Sequence, residues 1–426
     1  MKISADIEAL IEAAMNMAQW DAAESLLDRW EKEEVTTSVY YKYRAELSVR
    51  KGNVPNGWLW LWRGLEDDPE DEVLKDLYSQ ADSKFPTASI RVLQGTMEIA
   101  NQMNTLNRGL QAQGVMAHSL DYSSTYLKYG SDYSFPLVSE MTRRGIHDKL
   151  RRLTLALLPK YDLFHFHFAQ SIALDHTDYP LLRQAGKSII MQHWGSDVRL
   201  YSVGKKTNPY VLVTQHERPL RRRLSQLSRH VQHCIVADKE LEQYVKDYYP
   251  QVSVVPMMVD LTRYSVQEEW KPNERLLIVH APTNPGLKGT EVILKAIEAL
   301  KEQYDFDFQL VQGMSHEQAK EIYQKADLII DQLHIGSYGL LAVESMAFGK
   351  PVICWISDYM TEQYPAELPL IRANPDTIQS VLEKLLQERD CLPEIGIRGR
   401  AYVEQHHDMV KNSRRILEIY QRLQSI

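Results

Sequence analysis

The chain has 426 residues, 44% of them hydrophobic, and its 49 basic against 57 acidic side chains leave a net charge of -8. That length allows two or three domains with sizeable cores, and the acidic balance argues against a general nucleic-acid binder while leaving room for a local basic face. Three widely spaced cysteines, Cys234, Cys354 and Cys391, give no disulfide or zinc spacing, the start carries acids inside its apolar pattern, and no apolar run would span a bilayer, so a cytoplasmic protein is expected.

Residues 1–86 show helical periodicity and no convincing strand. Within them Trp20, Ala23, Leu27 and Trp30 recur 34 places on as Val54, Gly57, Leu61 and Gly64, the period of the tetratricopeptide repeat. Lys51-Gly52-Asn53, then Trp58, Leu61, Leu65 and Asp68-Pro69, resembles the second half of such a repeat, with Pro55 and Gly57 where helix formers are usual. An unrelated helical hairpin bundle is the alternative. Either way the segment carries no chemistry, suits a protein-docking surface, and should use Trp58, Trp60 and Trp62 in a core or interface.

From Ser89 the rhythm becomes α/β. A strand Ile90–Gln94 ending at Gly95, a helix Met97–Gln113 and a strand Val115–Leu120 make a βαβ start with a single glycine. A Tyr-rich loop, Tyr122–Tyr133, precedes a helix from about Glu140 to Leu158, and strands follow at Asp162–His167, Ser188–His193 and Cys234–Ala237, with Val252–Pro256 ending the domain. A pattern-poor hinge, Asp260–Glu274, leads to a second series: strands Leu276–His280, Phe306–Gln312, Ala326–Asp331 and Pro351–Trp355, a short one at Ile371–Ala373, and helices at Asp376–Arg389 and Met409–Leu423. The expected fold is α/β, with two Rossmann-like domains in tandem, 89–262 and 275–405, behind the all-α prefix 1–86. Residues 406–426 form a last helix with the option of crossing back to the first of them.

The stretch 331–353, DQLHIGSYGLLAVESMAFGKPVI, organises the chemistry. A strand, a glycine turn, a helix and a strand in so few residues form a crossover whose helix start offers free N–H groups and a positive dipole to an anion. The amides of Ser337, Tyr338, Gly339 and Leu340 suit a diphosphate, and Glu344, one turn into the helix, can accept from a vicinal diol. A ribose next to a diphosphate is a nucleotide. Lys288, on a loop after another strand, brings a mobile ammonium to the same carboxyl ends. His165 and His167 share one strand face, half of what a metal site needs, and no third ligand stands at matching spacing, so a core or cleft-lining role is preferred. Arg218, Arg222 and Arg229, and Arg144, Arg151 and Arg152, lie on basic amphipathic helices that leave open a peripheral membrane contact or a solvated face.

Lys288-Gly289, Gly336-Ser337-Tyr338-Gly339-Leu340 to Glu344, and Ala347-Phe348-Gly349-Lys350-Pro351-Val352 together resemble the C-terminal domain of retaining GT-B glycosyltransferases of the group-1, or family-four, type. The resemblance implies that Lys288 stabilises the departing nucleotide diphosphate, that Glu344 holds the ribose hydroxyls and that the turn's main chain contacts diphosphate and sugar. It implies too that His193 in Gln192-His193-Trp194-Gly195-Ser196-Asp197 contacts the donor sugar, with Asp197 as companion, and that Gly95 lies near the diphosphate. Two positions depart from the family pattern: Gly336 stands where a second glutamate is usual, and no arginine precedes Lys288 near Pro282. A retaining, metal-independent transferase is implied, with no bound cofactor. It would move a sugar from a nucleotide-sugar donor such as a UDP-sugar to a glycan, lipid-linked or protein acceptor. The alternatives are a GT-B epimerase or phosphorylase and a catalytically degenerate scaffold acting through the prefix.

Overall fold

The computed structural model describes residues 2–33, 37–85, 87–122, 129–137, 145–267 and 269–424. Five helices open the chain, Lys2–Asn16, Trp20–Glu33, Ser38–Arg50, Val54–Asp67 and Glu72–Ser83. The second and fourth are both 14 residues long and start 34 positions apart (54 − 20), so the sequence repeat is a repeat of helices. Pro55 sits in the first turn of its helix, where no N–H is needed, and Asn53 caps that turn by accepting from the Asn56 amide at 3.0 Å.

The prefix is not a free module. Trp58 and Trp62 enter the same apolar core as Tyr133, Phe135, Leu150 and Phe164 of the following domain, whereas Trp60 stays on the prefix side against Tyr40 and Arg63. Asn56 accepts from the Ser134 amide at 3.1 Å and Asn53 donates to the Ser131 carbonyl at 3.2 Å, so the prefix covers an edge strand that would otherwise be open to pairing. Asn56→Ala is expected to cost about 1 kcal/mol, the net worth of one such bond, read as faster hydrogen exchange at Ser134. An unchanged rate would mean the prefix is held by its tryptophans alone.

The first α/β domain is a seven-stranded parallel sheet in the order β3-β2-β1-β4-β5-β6-β7. Its strands are β1 (Arg91–Thr96), β2 (Met116–Asp121), β3 (Tyr133–Ser134), β4 (Leu163–His167), β5 (Ser188–His193), β6 (His233–Val236) and β7 (Val252–Val254). The second domain has five parallel strands in the order β12-β11-β10-β8-β9. These are β8 (Leu276–His280), β9 (Phe306–Leu310), β10 (Leu328–Ile330), β11 (Val352–Cys354) and β12 (Ile371–Arg372). Both orders reverse once, between β1 and β4 and between β8 and β10, and ligands of such sheets bind at the carboxyl ends beside the reversal. The chain thus has the expected architecture of two Rossmann-like domains behind a helical prefix.

Several boundaries differ from the sequence reading. The helix expected from Met97 starts only at Gln102, because Ala100 and Asn101 adopt left-handed backbone with φ of 52° and 59°. A 15-residue helix, Leu392–His406, was not expected, since Pro393, Gly396 and Gly399 interrupt its apolar period. The helix expected from Glu140 is described from Ile146 to Leu157, and Arg144 and residues 123–128 of the Tyr-rich loop lie outside the described residues. The last helix, Met409–Gln424, packs on helix Gln102–Gln111 of the first domain, with Ile416, Ile419 and Tyr420 buried beside Val92, Ala117 and Leu163. Where it leaves the second domain, Val259 and Asp408 pair as parallel neighbours, so two chain segments cross side by side. Among the described residues no helix is long and apolar enough to cross a membrane.

Candidate active site

At the reversal of the second sheet, β8 and β10 deliver Lys288 and Asp331 to one point. Buried His280 holds this corner: its Nδ1–H donates to the Ile330 carbonyl at 2.8 Å, and its Nε2 accepts from the Thr290 hydroxyl at 2.9 Å. Burial lowers its pKa to about 4, so the ring is neutral at pH 7 and keeps that tautomer. Thr290 opens the helix behind Lys288, and the Lys288 carbonyl accepts from the Leu333 amide at 3.1 Å, which ties the two loops together.

The Lys288 ammonium donates to Asp331 Oδ1 at 2.8 Å and to Gln332 Oε1 at 2.6 Å. Asp331 is fully enclosed, and its Oδ2 accepts from the Gly339 amide at 2.6 Å. Gly339 is the N-cap of helix Leu340–Ala347, and a Cβ there would lie 3.0 Å from Lys288 Nζ and 3.2 Å from Asp331 Oδ2. Only a glycine lets the main chain pass this close to the ion pair. The helix start, expected to offer its amides to a diphosphate, gives the Gly339 amide to the protein's own carboxylate. Of the ammonium's three N–H donors, two have partners among the described residues, so one is left for a ligand. Asp331 was read only as the end of a strand, and β10 stops at Ile330. Its role is not visible locally, because it depends on a lysine 43 residues away.

Glu344 lies five positions past Gly339 on the same helix, a rise of about 7.5 Å. Its Oε1 accepts from the Tyr264 hydroxyl at 2.8 Å and from His316 Nε2 at 2.7 Å. No described residue bonds Oε2, and Glu344 is one of the residues lining a narrow cleft. Across that narrow cleft stand Ala100, Asn101, Gln102 and Arg108 of the first domain. Burial and the Glu344 carboxylate push the Tyr264 hydroxyl far above its ordinary pKa, so it stays a donor. Tyr129, from the Tyr-rich loop, reaches over and packs on His316 with ring centres 5.3 Å apart.

Other expected site residues are placed differently. Tyr338 is buried, its ring stacked on Tyr364 and its hydroxyl bonded to Tyr402 and His407, so only its main chain is on offer. Ser337 is nearly enclosed and its carbonyl accepts from Gln332. His193 is fully buried at the end of β5, with Nδ1 2.6 Å from Asp197 and Nε2 2.8 Å from the Tyr249 hydroxyl. Asp197 also accepts from the amides of Trp194 and Gly195, and burial, which raises its pKa, is outweighed by His193 and these donors. Neither nitrogen of His193 is free to meet a sugar. Gly95 lies inside β1 at the reversal of the first sheet, not in a loop after it, and pairs with Leu120 and Phe166.

The loop that follows is not glycine-rich. It carries Glu98, whose carboxylate accepts from the amides of Met103 and Asn104 and so caps the next helix, while burial lifts its pKa to about 8. His165 and His167 stack in the core: His165 meets the Tyr420 hydroxyl, and His167 accepts from the Trp194 indole and donates to Gln94. Among the described residues no cluster of three or more His, Cys, Asp or Glu could hold a metal. Arg151 and Arg152 are paired with Asp148, Asp175 and Glu66, which leaves them less free for an anionic surface.

No protein-family model and no curated protein matches the chain. Solved structures do. Anabaena HepE in complex with UDP superposes with a TM-score of 0.52 at 11% identity, covering 78% of this chain and 100% of that one. HepE in complex with UDP-glucose gives the same TM-score at 10% identity, over 78% and 99%. A trehalose-6-phosphate synthase, studied for glycosyl transfer with retention, matches at 0.51 with 12% identity, over 79% and 99%. At such identities the likeness is one of fold, and it joins the two sheet orders and the cleft between them in one conclusion: the chain has the GT-B fold.

Proposed function

We propose that the protein is a glycosyltransferase that takes its sugar from a nucleotide-diphosphate donor, of the UDP-sugar kind, and passes it to a glycan, lipid-linked or protein acceptor. The observation that carries the reading is the corner formed by Lys288, Asp331 and Gly339. An ammonium with one unused donor stands beside a helix start, and on the same helix Glu344 lines the cleft with one carboxylate oxygen unbonded by any described residue. Lys288 would meet the charge that grows on the departing diphosphate, a role that needs no divalent ion. Glu344 Oε2 would accept from the ribose, with Tyr264 and His316 fixing its orientation. HepE, with the same fold, is known with UDP and UDP-glucose bound. Retention and metal independence complete the proposal by resemblance to the family-four type.

Calorimetry with UDP, GDP and ADP tests the donor class, and absence of binding by any of them up to millimolar concentration would sink it. Glu344→Ala is expected to weaken the binding nucleotide by roughly 1.5 to 3 kcal/mol, the scale of a hydrogen bond to a charged group. Unchanged affinity would remove the ribose assignment. One observation favours a second reading, a degenerate scaffold: Asp331 already pairs with the cation and takes the Gly339 amide of the helix start. Turnover of any donor sugar in EDTA excludes a purely scaffolding role and supports the metal-free mechanism.

A further inference from the structure

The segment after helix Tyr201–Gly204 leaves the first domain and lies on the second. Asn208, 4% exposed, donates through Nδ2 to the His334 carbonyl at 2.7 Å, and its Oδ1 accepts from the Trp355 indole at 3.2 Å and the Tyr210 amide at 3.0 Å. Because an indole only donates and a carbonyl only accepts, this amide has one possible orientation. Tyr210 adds an edge contact to the Trp355 ring, centres 5.4 Å apart, and a hydrogen bond to Asp376.

What Asn208 grips is the turn from Asp331 to Gly339. His334 also bonds the Gly286 carbonyl at 2.9 Å, and Leu333 bonds that of Lys288, so the gripped point belongs to both loops of the candidate donor site. Gly336, at φ +83°, passes directly beneath: a Cβ there would lie 3.2 Å from Asn208 Nδ2 and 3.1 Å from Ser357 Cβ. The space over Gly336, where the related enzymes were expected to place a glutamate, is taken by an amide from the other domain.

We infer that Asn208 is a positioning residue that keys the first domain onto the donor turn, so that closure of the cleft and the shape of the anion site are coupled through Asn208 over Gly336. The first half of this inference stands without any ligand, and the second rests on the nucleotide reading above. A ligand that binds the keyed turn more tightly must, by linkage, favour closure to the same degree.

The test has two arms on the full chain. Without ligand, Asn208→Ala, which loses the bonds to His334 and Trp355, should speed hydrogen exchange of the amides in 333–339 by about tenfold, and Asn208→Asp, which loses only the donor to His334, should speed it less. Rates equal to wild type would overturn the keying. With UDP as probe, Asn208→Ala should bind about tenfold more weakly, and it should lack the compaction that wild type is expected to show by small-angle scattering on adding UDP. Faster exchange with unchanged UDP affinity and unchanged compaction would overturn the coupling, whereas wild type failing to bind UDP counts against the donor reading and leaves the first arm standing. Gly336→Ala, strained at φ +83° and crowding both Asn208 and Ser357, should show both losses as well.

Discussion

Under the proposed transferase reading, replacing Lys288 by alanine is expected to lower sugar transfer roughly 100- to 1000-fold, the usual loss when one preorganised donor to a developing anion is removed. A second effect accompanies it. Asp331 is fully enclosed, and without the ammonium its carboxylate keeps only the Gly339 amide and a distant Cys354 thiol. Breaking a buried pair from one side costs roughly 3 to 5 kcal/mol, so Lys288→Ala should also unfold at lower urea concentration. The two effects separate in the double variant Lys288→Ala/Asp331→Asn, in which no buried charge is left alone. Its stability should return most of the way while turnover stays low. Single-turnover assays beside urea titrations read both quantities. Full turnover in the double variant would mean that Lys288 is only Asp331's counterion.

His193→Ala is expected to act on the fold and to leave nucleotide binding intact. The ring is the shared partner of Asp197 and Tyr249, all three buried, and its loss strands a carboxylate with two main-chain donors and leaves a cavity. A loss of roughly 3 to 5 kcal/mol is expected. Urea unfolding measures it, and calorimetry at low temperature, where the variant is still folded, should find wild-type UDP affinity. His193→Gln, which keeps one bond, should lie between. Normal stability with a raised KM for the donor would restore the role of sugar contact that the family resemblance implies.

What could be read from the residues follows the range of the interaction concerned. The strands of both sheets except β3, the glycine turn and the helix carrying Glu344 are set by apolar period and punctuation within some twenty positions and were legible, whereas the two-residue edge strand β3 was hidden at the end of the Tyr-rich loop. Lys288 was legible as a loop cation. The partners that decide what these groups can do come from farther away. Asp331 meets Lys288 across 43 positions, Tyr264 meets Glu344 across 80, and Asn208 meets His334 across 126. His193 shows the same limit from the other side: a strand-end histidine looks available until Tyr249, 56 positions on, closes over it. Helix Leu392–His406 escaped because Pro393 falls in its first turn, where no N–H is needed, and Gly396 and Gly399 pack closely against Gly349 and Met346.

The return of the last helix to the first domain has a consequence for the order in which the molecule can be made. A ribosome completes β1 to β7 long before it reaches Ile416, Ile419 and Tyr420, yet these three share the core of that sheet with Val92, Leu106 and Ile190. During synthesis the first sheet must wait, with an apolar flank uncovered, while the whole second domain emerges and folds. The later domain is therefore the one that can finish first, and the earlier one is sealed by the final sixteen-residue helix.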